Sequence, residues 1–181
     1  MAAGVPNMQV VSGRSDDLGA DPGRFKAVVI GRAFHWMDRA ATLTALDGLI
    51  EPGGAVVLFG EEHPRVPENV RIMEYEALHK QWSEDDRNRA ALLAPGYRPH
   101  LSVLLDSPFS RLERIGVIAR YPLSLQTLTD RVLSFSSTSR ARLGDRADAL
   151  IEALGRKYAE WEAAGPMEEV LTATAMMAFR P

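Results

Sequence analysis

The 181-residue chain contains no cysteine. That absence excludes a disulfide framework, thiolate metal ligation and a cysteine nucleophile. No window approaches the roughly 20 apolar residues of a membrane-spanning helix. Met1 to Pro6 lacks both the basic region and the apolar run of a signal peptide. Net charge is −3, which removes any global electrostatic case for nucleic acid or an anionic membrane as partner. The four histidines, His35, His63, His79 and His100, are scattered without metal-ligand spacing. Gly-x-Ser-x-Gly, a Walker loop and other glycine-rich phosphate cradles are missing. The only double glycine, Gly53-Gly54, follows a helix pattern instead of opening one. The expectation from length and these absences is one domain, or one and a small lobe, over residues 1–181, cytoplasmic and without a metal. Its 46% hydrophobic content is enough for a packed core.

What is present begins with Phe25 to Asp38. Ala27 to Ile30 is a short, β-branched run without polar alternation, which predicts a strand buried on both faces. Gly31 ends it, and a loop carries Phe34, His35 and Trp36 before Asp38 offers a helix cap. A helix follows from Asp38 to Ile50, with Leu43, Leu46, Leu49 and Ile50 on one face. Glu51-Pro52-Gly53-Gly54 reads as its terminating turn, and Ala55 to Phe59 as a second apolar strand. Together these make a βαβ unit, and ligands bind past the carboxyl ends of such strands. Met8 to Val11 is a further strand candidate upstream.

Downstream, Pro67 opens a helix that runs to about Trp82. Asp85 to Arg89 is a solvated charge run, and Ala94 to Pro108 an irregular stretch, so that about 62–109 forms an excursion from the sheet. Leu112 to Tyr121 alternates as a strand with one wetter face, Arg114, Gly116 and Arg120 lying outward. Leu125 to Leu133 is a short helix and Ser134 to Ser139 a polar break. Asp145 caps a helix through about Ala163, buried along Ala149, Leu150, Ala153, Leu154, Tyr158 and Trp161. Val170 to Phe179 closes the chain as a strand, its apolar face on Leu171, Ala173, Ala175, Met177 and Phe179.

Two readings of His35 and Trp36 stay open. In one, Trp36 packs under the loop and His35 is an ordinary loop residue. In the other, the His35 imidazole faces a ligand at the strand end and deprotonates a substrate. Asp16 and Asp17 read either as a solvated turn or as a ribose or adenine contact. For Arg111, Arg114 and Arg120, strand-edge solubility leads.

Ser12 to Leu18, Phe25 to Asp38 and Leu49 to Gly54 resemble class I S-adenosylmethionine-dependent methyltransferases, in the branch similar to methyltransferase type 11 and trans-aconitate methyltransferase-like proteins. The Ala-Phe-His-Trp-Met-Asp phrase is the most specific part, and the resemblance runs from about residue 7 onward. It implies an α/β, Rossmann-like sheet in the order 3-2-1-4-5-7-6 with the seventh strand antiparallel. Met8 to Val11 would be the third strand, Phe25 to Ile30 the fourth, Ala55 to Phe59 the fifth, Leu112 to Tyr121 the sixth and Val170 to Phe179 the seventh. The family's first strand, its glycine-rich loop and the acidic ribose ligand have no counterpart in this sequence, which looks like an N-terminally truncated domain.

The resemblance implies S-adenosylmethionine as cofactor and a small-molecule O, N or carboxylate acceptor. Gly13, Arg14 and Ser15 match the loop edging the adenine, although the family often carries an acid where Arg14 stands. Ile30, Gly31 and Arg32 match the strand end beneath the cofactor. Phe34 and His35 match the loop facing the transferred methyl, with His35 as base. Lys26 replaces the acid common after Phe. Removing two strands leaves the third and fourth three spacings of ~4.8 Å, or ~14 Å, apart. The fourth strand then has an open apolar edge, with three expected outcomes: Met8 to Val11 slides in, a second copy pairs as a homodimer, or solubility falls. The alternative reading is a non-catalytic dimerisation or partner-binding module using that edge. A different doubly wound enzyme is a weaker third.

Overall fold

The apolar run after Arg24 forms strand β1, Phe25–Gly31, which pairs in parallel with β2, Ile50–Glu62. The computed structural model describes residues 7–10, 12–15, 22–83 and 95–181. Two further strands, β3 (Arg111–Pro122) and β4 (Glu168–Phe179), complete a four-stranded sheet in the order β1-β2-β4-β3. The start of β4 meets the end of β2, where Glu169 bonds His63, and the end of β4 meets the start of β2, where Arg180 bonds the Glu51 carbonyl. Likewise the Leu123 N–H donates to the Met167 carbonyl while Arg111 lies over the Phe179 ring. The last strand is therefore antiparallel to both its neighbours. This is the order and direction the resemblance implies for strands 4-5-7-6.

Several expectations are corrected. Residues 8–10 take no strand, and Arg14 makes only an isolated bridge. Val11, Asp16, Asp17 and the Asp85 to Arg89 charge run lie outside the described residues. β1 is not buried on both faces. Val29 is 60% exposed while Ile30 is 6% exposed, because only the Val28–Ile30 face meets the core.

The helix after the loop is α1, Arg39–Asp47, shorter than expected, with the Asp38 carboxylate accepting from the Ala41 N–H at 3.0 Å. Pro52-Gly53-Gly54 is no turn between elements but a bulge inside β2. Phe25 pairs with Ile50 and Ala27 with Ala55, so the extra β2 residues must loop out. Gly53 has φ +75°, and a Cβ at Gly54 would stand 2.6 Å from the Lys26 carbonyl oxygen, so the close strand approach requires glycine.

On β3, Val117 is 62% exposed and Ile115 and Tyr121 are exposed too, so the expected inward face is open. On β4 the face is the opposite one: Thr172 and Ala178 are buried and Ala173 is exposed. Asp145 precedes its helix without making a side-chain cap bond.

The chain divides into two compact units. The first holds residues 1–60, 98–115 and 175–181; the second holds 61–97 and 116–174. The core of the first gathers Ile30, Phe34, Leu43, Leu46, Val56 and Phe109 beneath β1 and β2, with the short helix α3, His100–Leu105, adding Leu104. Arg180 closes this unit. It donates from Nε to Asp47 at 2.8 Å and from Nη2 to the Ile50 carbonyl at 3.2 Å, and it lies over the Phe109 ring. Its Nη2 also donates to the Asp47 carbonyl, one of those that a helix end leaves without an intrahelical partner.

In the second unit a 3₁₀ turn, Pro67–Asn69, leads into α2, Val70–Trp82. Helices α4 (Leu125–Ser134), α5 (Arg140–Leu143) and α6 (Arg146–Ala163) follow. Leu128, Val132, Leu150, Leu154 and Trp161 pack with Ile72 and Tyr75 of α2 into a second core. Among the described residues no helix is long and apolar enough to cross a membrane.

Candidate functional site

The end of β1 carries the features of a site in the first unit. Gly31 remains extended and pairs with Phe59, and no heavy atom lies within 4 Å of where its Cβ would stand. The chain turns out of the sheet at Arg32, not at the glycine. Arg32 has φ +52°, while its N–H still reaches the Phe59 carbonyl at 3.4 Å. A non-glycine residue in that region costs about 1–3 kcal/mol and is held by its surroundings.

The next residues form a 3₁₀ turn, Phe34–Trp36, closed by the Trp36 N–H on the Ala33 carbonyl at 2.9 Å. Its three rings separate by direction. Phe34 is 3% exposed and belongs to the core, so it supports the loop from below. Trp36 is 55% exposed. His35 is half-buried, its ring 4.3 Å from that of Trp36.

A fourth ring arrives from a part of the sequence that gave no signal. His100, the first residue of α3, sits edge-on to Phe34 at 5.1 Å and lies nearly parallel to His35 at 6.4 Å. Arg39 Nη1 approaches His100 Nδ1 at 3.3 Å and donates to the Arg98 carbonyl at 2.6 Å. A guanidinium only donates, so Nδ1 is the acceptor and the ring proton resides on Nε2. Burial pushes His100 below the ordinary imidazole range, and the Arg39 charge and His35 add to this. The site thus presents the His100 imidazole from α3 beside a second imidazole and an exposed indole on the turn.

The upstream loop residues are partly joined to it. Ser15 accepts a bond from the Thr42 hydroxyl at 3.2 Å, which ties the loop to α1. Gly13 and Arg14 are exposed. Ile30 faces the core, while Gly31 and Arg32 are exposed at the strand end.

The second unit has polar clusters of its own. The polar break after α4 docks on the end of α2: Ser137 and Ser83 approach His79 Nε2 at 3.3 and 3.2 Å, and Phe135 stacks on the His79 ring. A groove of about 560 Å³ runs along α2 and α6 past Arg71, Glu74, Lys157 and Trp161. Its groups pair with one another. Trp161 donates to Glu74 at 2.8 Å, Lys157 reaches Glu74 and Glu160, and Arg71 donates to the Ala164, Gly165 and Pro166 carbonyls. The Trp161 bond, followed by Lys157, holds the Glu74 carboxyl below its usual range. Sequence periodicity had placed these residues on helices without revealing their partners.

No protein-family model and no curated protein matches the chain. Solved structures do. One is a candidate type II methyltransferase from Anaeromyxobacter dehalogenans: 21% identical, TM-score 0.57, with 97% of this chain aligned to 73% of that one. Another is a candidate methyltransferase from Bacillus halodurans: 14% identical, TM-score 0.49, with 96% of this chain aligned to 78% of that one. The first likeness establishes a shared fold, an α/β, Rossmann-like mixed sheet with helices.

Proposed function

We propose that the chain belongs to an S-adenosylmethionine-dependent methyltransferase that moves a methyl group to an O, N or carboxylate nucleophile on a small molecule. The observation that carries this reading is the antiparallel last strand inserted between its neighbours, in the order β1-β2-β4-β3, with the Phe34–Trp36 turn at the carboxyl end of β1. Ligands in parallel α/β sheets bind at that end.

The residues present suit one side of such a cofactor. The open space over Gly31 and the exposed Arg32 backbone leave room against the strand end. Gly13, Arg14 and Ser15 would edge an adenine, with Ser15 anchored to Thr42. When bound, the cofactor supplies an electrophilic methyl on a sulfonium. The chain's own part is to hold the acceptor in line and, for a hydroxyl or amine, to take its proton. His35, half-buried beside Trp36, is the group assigned to that proton. Most of the acceleration in such a displacement comes from positioning.

A second reading is favoured by β1. Five of its seven residues are exposed, an edge suited to pairing with a second copy. In that reading the chain is a non-catalytic dimerisation or partner-binding module. Titration calorimetry with S-adenosylhomocysteine, run beside sedimentation velocity at micromolar concentration, separates the two. Binding heat that falls in Gly31→Val supports the cofactor site. No heat together with a stable dimer refutes it in favour of the module.

A further inference from the structure

His63 follows directly on β2 and lies outside the site just described. Its ring stands between two carboxylates. Nδ1 is 3.1 Å from Glu76 Oε1 on α2, and Nε2 is 2.7 Å from Glu169 Oε2 on β4. Ionised carboxylates only accept. Both contacts are therefore made at once only by a ring that carries a proton on each nitrogen.

The two sides differ. Glu169 is 3% exposed and also takes both Arg131 guanidinium nitrogens of α4 at 2.7 Å. Glu76 is more than half exposed. Burial pushes the Glu169 carboxyl up, but the Arg131 and His63 hydrogen bonds outweigh it and leave it below its usual range. The Arg131 hydrogen bond is the larger of the two and remains when His63 changes its protonation. The nearby Tyr75 hydroxyl donates to the Leu128 carbonyl, and burial keeps it un-ionised. Glu61 of β2 adds its charge on the Arg131 side. With His63 doubly protonated, Glu76, Glu169, Arg131 and His63 sum to zero. With one proton gone they sum to −1, and the ring can donate to only one carboxylate. The shorter, buried Glu169 bond is the one retained, so the Glu76 contact is the one released.

We infer that His63 is a proton-operated latch that ties α2 to β4 through Glu76 and Glu169 and lets α2 go when the ring loses one proton. The contact is present on the acid side and lost as pH rises, because only the doubly protonated ring makes it. Helix α2 stays anchored at its start, where Asn69 and Arg71 make bonds that do not involve that proton. Release therefore acts on the part of α2 from Glu76 to Trp82.

The test uses the full chain. Ring nitrogen NMR at pH 5.5 is expected to show both His63 nitrogens protonated. Amide-exchange protection factors for residues 76–82 are expected to fall about fivefold between pH 5.5 and 8.5. In His63→Gln that change disappears. Glu76→Gln is the discriminating variant, since a Gln amide can accept from a protonated ring or donate to a neutral one. Its α2 protection stays high at both pH values. A singly protonated ring at pH 5.5, equal wild-type protection at both pH values, or an unchanged fall in Glu76→Gln would each overturn the latch.

Discussion

Asn69 offers a test of how the second unit is held. The residue is fully buried, at 0% exposure, and spends both ends of its amide on backbone. Nδ2 donates to the Pro64 carbonyl at 2.9 Å and to the Val170 carbonyl at 2.8 Å, while Oδ1 accepts from the Val170 N–H at 2.8 Å. It thereby mimics a strand partner where β2 has ended and β4 is beginning. Replacing it by alanine removes three bonds, each worth about 1 kcal/mol net, and orphans an N–H at a further cost of about 1–3 kcal/mol. The sum is about 4–6 kcal/mol, a large part of the roughly 5–15 kcal/mol that holds a domain together. With a urea slope of about 2 kcal/mol/M, the midpoint should drop by about 2–3 M. Asn69→Asp sharpens the test. It keeps the acceptor for Val170 but sets a carboxylate against two carbonyl oxygens. Its folded carboxyl should titrate above the unfolded one, so the variant gains stability as pH falls and loses it as pH rises. An Asn69→Ala midpoint within 0.5 M of wild type, or an Asn69→Asp variant indifferent to pH, would refute the reasoning.

Other outcomes follow from the same geometry. Gly54→Ala forces a Cβ to 2.6 Å from the Lys26 carbonyl; it should cost more than about 2 kcal/mol by urea unfolding, as a backbone clash cannot relax by rotamer change. The carboxyl of Glu169 titrates lower in the folded chain, so its stabilisation is complete above the unfolded carboxylate range and is lost as pH falls through the folded value. Glu169→Gln should flatten that acid limb and, by leaving Arg131 unpaired, cost about 3–5 kcal/mol at pH 7 in thermal or urea melts. His100 titrates below the ordinary imidazole range. NMR should find it neutral with the proton on Nε2 at pH 6.5, and Arg39→Gln should move its titration upward; no movement would remove Arg39 as a cause.

The sequence disclosed elements better than faces. Ala27 to Ile30 and Ala55 to Phe59 are legible as strands because β-branched runs leave few alternatives. Burial depends on neighbours, which a run of apolar residues does not specify, so the exposure of Val29 is not legible in that run. On β4 both faces are apolar or carry Thr, and the pattern is consistent with either orientation; the core took the Thr172 and Ala178 side. Gly53-Gly54 has the composition of a turn, and only the approach of Lys26 makes it a bulge. At the site, His35 and Trp36 stand out because they follow a strand. His100 lies 65 residues further along and meets them only through tertiary packing. Arg39 and Asn69 stand at helix starts, and their partners, the Arg98 carbonyl and His100 ring for one and the Pro64 and Val170 backbone for the other, are groups that no local pattern encodes.

The clamp formed by Arg180 bears on when the first unit can fold during synthesis. Its core needs Ala178, and its helix end needs Arg180, yet β1 and β2 are made more than 100 residues earlier. At roughly 5–20 residues per second the ribosome takes about 6–25 s to cover that gap. Through that interval two apolar strands are out of the exit tunnel without the residues that close over them. Until they arrive the sheet offers apolar surface to other chains, and the length of that exposure scales inversely with the rate of synthesis.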